Sequence, residues 1–145
     1  MGTVLRKAAT TGPAGPAETF FGGRVRLIGL SPRRDHRGVL IPFDFDRMPF
    51  VASRAFVVTD VPAGTVRGGH AHRSMLQLLV CVKGRVEVLL RHGGDEKSIV
   101  LDETKSGLII EPGVWSSQTY LDAGTVLLVF ASEPYDPASY IDLES

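Results

Sequence analysis

The sequence is poor in the features that mark the more specialised protein classes. It holds one cysteine, Cys81, in 145 residues, so no disulfide can form within the chain. Cys81 lies inside the apolar run LLVCV, where a thiol reads as a small core side chain. A nucleophilic cysteine needs exposure and a neighbouring base, and a strand interior supplies neither. Neither sign of charge is in excess, because 16 basic and 16 acidic residues balance. A nucleic-acid binder usually gathers basic residues on one face, and no such run occurs. No stretch approaches the roughly 18 apolar residues of a membrane-spanning helix. The N-terminal MGTVLRKAATTGPAGPAETF lacks the apolar centre of a secretory signal. Arg6 stands where the myristoylation pattern wants Ser or Thr. These gaps point to a cytoplasmic protein with neither nucleic-acid nor membrane partners.

What is present is ordinary for a globule: 43% hydrophobic and 22% charged residues. A chain of this length suits one domain that buries most of its unfolded surface. Residues 1–19, rich in Ala, Thr, Gly and Pro, read as a flexible arm, and 20–145 as a single folded domain. That domain is a series of short strand-like runs punctuated by Gly and Pro. They include RVRLIGL, GVLIPFDF, SRAFVVTDV, HAHRSMLQLLVCVKG, RVEVLLRHGGD, KSIVLDE, SGLIIEPG, SSQTYLD and GTVLLVFAS. No long stretch has a helical period, and the tail PYDPASYIDLES offers at most a short helical turn. About eight to ten strands of this kind predict an all-β sandwich or barrel.

Two of the four histidines stand in RGGHAHRSMLQ. Side chains alternate along a strand, so His70 and His72 share a face and Ala71 turns away. Gly68 and Gly69 permit close approach to the point on which the imidazoles converge. Gly64, His70, His72, Gln77 and Gly84 are spaced in a way that resembles the first cupin motif, in which the place of Gln77 is usually Glu. GLIIEPGVWSSQ, Gly107 to Gln118, resembles the second, with Ser116 where the fourth metal ligand, a histidine, normally falls. The resemblance implies a jelly-roll (double-stranded β-helix) barrel. Two histidines with a neutral amide and a hydroxyl are a weak donor set for zinc or iron. His36 and His92 lie in turn-like segments outside both motifs. No metal or other cofactor is therefore expected, and the pair suits proton transfer or the binding of polar substrate atoms.

One cupin branch is more similar still: the nucleotide-sugar 3,4-ketoisomerases of the FdtA/QdtA, WxcM-like group. DHRGVL, RGGHAH, QLLVCVKG, GLIIEPGVWS and VLLVFASEPYDPASYI resemble that family's segments across roughly residues 24–141. The resemblance implies a metal-independent isomerase that moves the keto group of dTDP-4-oxo-6-deoxyglucose from C4 to C3. His70 and His72 would transfer protons, and Arg67 would orient the site or meet the diphosphate. Trp115 would wall the pocket, with Gly69, Gln77, Phe56, Leu76, Ser116 and Gln118 as its other substrate-binding residues. A surface arginine and a core tryptophan are the plainer readings of Arg67 and Trp115. The resemblance also implies a homodimer formed through the N-terminal strand FFGGRVRLIGL, with Phe20 and Phe21 packed on the partner.

The chain departs from the family where RAFVV replaces a tyrosine-bearing segment, so that Phe56 and Val57 remove a phenol. Leu76 replaces a Glu, Ser116 a His, and Gly69 an aromatic. With Met75, these changes make the expected wall greasier around His70, His72 and Gln77. Two alternatives therefore stay open. One is a repurposed member that isomerises or cyclises a less polar secondary-metabolite intermediate. The other is a binding cupin without catalysis.

Overall fold

The computed structural model describes residues 16–103 and 106–141. Its strands are β1 (Pro16–Phe20), β2 (Val25–Gly29), β3 (Arg33–Asp35), β4 (Gly38–Leu40), β5 (Arg54–Val58), β6 (Thr65–His72) and β7 (Gln77–Lys83). They continue as β8 (Arg85–His92), β9 (Asp95–Asp102), β10 (Ser106–Ile110), β11 (Trp115–Tyr120), β12 (Val126–Ala131) and β13 (Tyr140–Ile141). Helix among the described residues is confined to 3-10 turns at Phe21–Gly23, Phe45–Arg47 and Pro137–Ser139. The last of these is the short turn expected in the tail. None is long and apolar enough to cross a membrane.

Every strand pairing is antiparallel. A six-stranded sheet runs β1-β2-β10-β7-β12-β5, and a five-stranded sheet runs β13-β6-β11-β8-β9. From β5 onward the chain crosses repeatedly between the two, which is the expected jelly roll. The sheets face each other over a core that includes Val25, Leu79, Val86, Val88, Leu90, Leu108, Leu127 and Val129. β8 shows the alternation from which it was predicted: Val86, Val88 and Leu90 are fully buried, and the residues between them less so.

β7 does not alternate, because both of its faces are covered. Leu79 and Cys81 point between the sheets. Leu78 and Val80 point outward with Ile28, Ile109 and Phe130, under a lid formed by Phe43, Met48 and Phe50. A strand buried on both sides reads as a continuous apolar run. Cys81 is the core thiol its surroundings suggested. Its S–H donates to the Lys83 and Gly84 carbonyls, and burial raises its pKa to about 11.

Two expectations need revision. The run HAHRSMLQLLVCVKG is not one strand but two, β6 and β7, in different sheets. The corner between them is pinned where Leu76 N–H donates to Ser132 Oγ (2.9 Å) and Ser132 N–H donates to the Leu76 carbonyl (3.0 Å). Of the expected arm, residues 1–19, Pro16 onward belongs to β1; residues 1–15 lie outside the described residues. Phe20 and Phe21 pack against the core of this chain. The reason is that β1 pairs with β2, which pairs in turn with β10. The Lys97 ammonium caps the Phe20 ring at 5.1 Å, and Phe21 meets the His92 ring edge-on at 6.3 Å.

Candidate active site

One end of the sandwich opens into a cavity of about 320 Å3. β11 lines it with alternate residues, Ser116, Gln118 and Tyr120, as a regular strand must. β6 faces it with Arg67, His70 and His72, a spacing a regular strand cannot give. The register explains this. Ser116 pairs with His70, Ser117 with Gly68 and Gln118 with Arg67, so Gly69 is an extra residue. This β-bulge reverses the facing of everything before it and brings Arg67 to the side of the histidines. Gly68 and Gly69 have φ of +83° and +88°, the left-handed region that favours glycine. A Cβ on Gly68 would stand 2.6 Å from Gln118 Oε1. The amide of Gln118 occupies that space and donates to Ser116 Oγ at 3.2 Å.

His70 and His72 do share a face. Their ring centroids are 5.2 Å apart and the rings nearly perpendicular, at 87°. The Tyr140 ring stacks on His70 at 4.2 Å and 10° and meets His72 edge-on at 4.9 Å. Burial lowers the pKa of His70. His72 is depressed to about 4, chiefly by burial, then by His70; Arg54 adds to the effect and Glu133 opposes it. Taking an imidazolium out of water is costly, so both rings are neutral bases at neutral pH. The buried Nδ1 of His72 has no hydrogen-bond partner among the described residues.

Two cations, Arg54 and Arg67, line the same cavity, and neither is in the ion pairs found among the described residues. The Arg54 guanidinium lies over Phe56 at 4.6 Å and Tyr135 at 5.3 Å, packing that holds it while its N–H groups stay available. The floor is apolar: Phe56, Val58, Leu79, Leu127 and Val129. Val57, 57% exposed, borders the cavity beside Phe56. Among the described residues no three His, Cys, Asp or Glu side chains converge. His36 falls in the β3–β4 turn, and His92 packs near the Gly113 carbonyl at 3.5 Å, away from the pair.

Of the ten site residues expected from the sequence, His70, His72, Arg67, Gln77, Phe56, Ser116 and Gln118 meet around this cavity, and Gly69, Leu76 and Trp115 do not. Gly69 is the bulged residue, and a Cβ there would face Trp115. Leu76 belongs to the apolar cluster outside the six-stranded sheet, because the corner after His72 turns it there. Trp115 precedes Ser116 and so points the other way, buried with the Arg91 guanidinium 4.7 Å over its ring. β5 carries no phenol, as its sequence RAFVV states, but other segments bring phenols to the cavity. Tyr135 and Tyr140 enter from the C-terminal segment, and Tyr120 from β11. Tyr120 was foreshadowed by its i, i+2, i+4 spacing from Ser116 and Gln118, and Arg54 by its alternation with Phe56. Tyr140 carried no local signal beyond its place in the closing segment.

Two facing sheets with a histidine pair at the cavity define the architecture of a cupin. A family model described as FdtA, "WxcM-like, C-terminal", matches residues 23–144, and the chain belongs to that family. A TDP-4-oxo-6-deoxy-alpha-D-glucose-3,4-oxoisomerase from Aneurinibacillus thermoaerophilus is 34% identical over 117 residues, 80% of this chain and 84% of that protein. A mutant of the 3,4-ketoisomerase QdtA from Thermoanaerobacterium thermosaccharolyticum, solved with TDP-4-keto-6-deoxyglucose, superposes with a TM-score of 0.78. It is 36% identical, over 82% of this chain and 87% of that one. The TDP-quinovose 3,4-ketoisomerase WlaRB from Campylobacter jejuni is 32% identical, with a TM-score of 0.76 over 81% of this chain and 92% of its own.

Proposed function

We propose that the protein is a sugar-nucleotide 3,4-ketoisomerase acting on a nucleoside-diphosphate-linked 4-keto-6-deoxyhexose, TDP-4-keto-6-deoxyglucose by similarity to its relatives. The observation that carries this reading is the pair of neutral imidazoles that line one cavity together with two arginines. The arginines suit a diphosphate, and the apolar floor suits the deoxy face of the sugar. They also weigh against the alternative of a wholly apolar substrate.

The reaction is a proton relocation. A neutral imidazole takes the C3 proton while O4 gains one, giving a 3,4-enediol. The O3 proton then leaves as C4 is protonated, and the carbonyl stands at C3. His70 and His72 are the proton-transfer pair, since a base of near-neutral or lowered pKa can both accept and return a proton. The amides and hydroxyls of Gln77, Gln118 and Ser116 hold the sugar oxygens, and Arg67 and Arg54 take the diphosphate. A nucleotide-sugar substrate and a single buried thiol fit a cytoplasmic enzyme. The outer edge of β1 has no strand beside it among the described residues and is a template for a second copy, so the homodimer contact is assigned to it.

Incubation with TDP-4-keto-6-deoxyglucose, followed by 1H NMR, is expected to show the 3-keto sugar accumulating. Well-folded protein that yields no such product would overturn the assignment.

A further inference from the structure

We infer that the ring of Tyr140, through its two faces of contact, is a positioning residue that sets the geometry of both His70 and His72. This rests on the isomerase reading of the cavity. It concerns a residue that neither the motif around the histidines nor its departures single out.

The inference starts from what holds the histidines. The Nδ1 of His72 has no hydrogen-bond partner among the described residues, so the usual device of pinning an imidazole through its second nitrogen is not used at that atom. Ring contacts take its place. Tyr140 stacks on His70 at 10° and stands at 80° to His72. One ring thus fixes the plane of the first and the edge of the second, and with them the 87° between the two. Aromatic pairs favour these two arrangements, offset stacking and edge-to-face.

The ring is itself held by backbone. β13 places Tyr140 opposite His72 in register. The turn before it is capped where Ala138 N–H donates to Asp136 Oδ1 (3.0 Å) and Ser139 Oγ donates to the Asp136 carbonyl (2.7 Å). Arg73, directly after His72, ties the turn to β6. Its N–H donates to the Ser139 carbonyl at 2.9 Å and its Nε to the Ala138 carbonyl at 3.3 Å. Tyr140 cannot drift from the histidines without breaking these bonds. β13, Tyr140–Ile141 among the described residues, carries this contact.

The experiment compares Tyr140→Phe with Tyr140→Leu in steady-state kinetics on TDP-4-keto-6-deoxyglucose, with melting curves and imidazole 15N–1H spectra of each. Tyr140→Phe keeps both ring contacts and is expected to retain kcat within about threefold. Tyr140→Leu is expected to lower kcat by about 100-fold with KM little changed, the scale of loss when reacting groups are misplaced by about an ångström. Its His70 and His72 resonances are expected to broaden as the rings sample other rotamers, while those of Tyr140→Phe stay sharp. Should Tyr140→Leu fail to fold, Tyr140→Val, a better strand former, takes its place. Full kcat in Tyr140→Leu or Val, or a loss in Tyr140→Phe as deep as theirs, overturns the positioning role. An inactive wild type with sharp imidazole signals that broaden only in the Leu variant would sink the isomerase reading and leave this one standing.

Discussion

At the scale of single residues, the proposed chemistry depends on two imidazoles held uncharged. His70 is the more accessible to a simple test, because Asn keeps a polar group of similar reach but cannot take a proton at neutral pH. Loss of a general base costs about 10²–10⁴-fold, so His70→Asn is expected to lose kcat on that scale in an NMR time course while its Kd for the nucleotide changes little. The pair was legible in the sequence because residues two apart in a strand share a face whatever the tertiary fold. Leu76 and Trp115 were misplaced for the opposite reason. A corner and a strand's facing decide where they point, and a motif match carries neither. Tyr140 went unread because its contact with His70 spans 70 residues of chain and arises only when β13 docks on β6.

At the scale of elements, the bulge in β6 assembles the site. Without the extra residue at Gly69, Arg67 and the histidines would stand on opposite faces of the sheet, and no single cavity could hold both cation and base. Gly68→Ala tests this device. Its Cβ would meet Gln118 Oε1, the end of a side chain that can yield only by leaving Ser116. A left-handed conformation costs a non-glycine residue roughly 1–2 kcal/mol. Denaturant melts of Gly68→Ala should show a loss of about that size, and KM for the nucleotide sugar should rise as Arg67 and Gln118 shift. The glycines were visible in the sequence as a place of close approach. That one of them is supernumerary was not, because a bulge is a property of two strands in register and β11 lies some 45 residues further on. The same limit explains why HAHRSMLQLLVCVKG read as one strand, since its apolar run is unbroken and only the Leu76–Ser132 bonds reveal the corner.

At the scale of the whole molecule, an open cavity lined by depressed histidines makes folding depend on pH. Unfolded histidine binds its proton near pH 6.5, whereas folded His72 does so only near 4, and His70 is shifted the same way. Between those values the unfolded chain carries more protons than the folded one, so stability is full above about pH 6.5 and falls as the pH drops towards 4. Glu133 offsets the effect, while Arg54 and the charge of His70 add to it. Both rings are only half-buried, so screening by water leaves a loss of about 1 kcal/mol. The lowered carboxyls of Asp35 and Asp122, each paired with an exposed arginine, add stability that is present above about pH 3.8 and lost only below it, which separates the two windows. Thermal melts of the wild type should therefore decline between pH 6.5 and 4, and those of His72→Gln should be flatter over that range. A ligand that contacts the histidine rings changes the same balance, so melts with added TDP would show whether the nucleotide alone reaches them. Bound TDP that shifts the melting temperature equally at pH 5 and pH 7.5 would place its contacts at Arg54 and Arg67 and leave the histidines to the sugar.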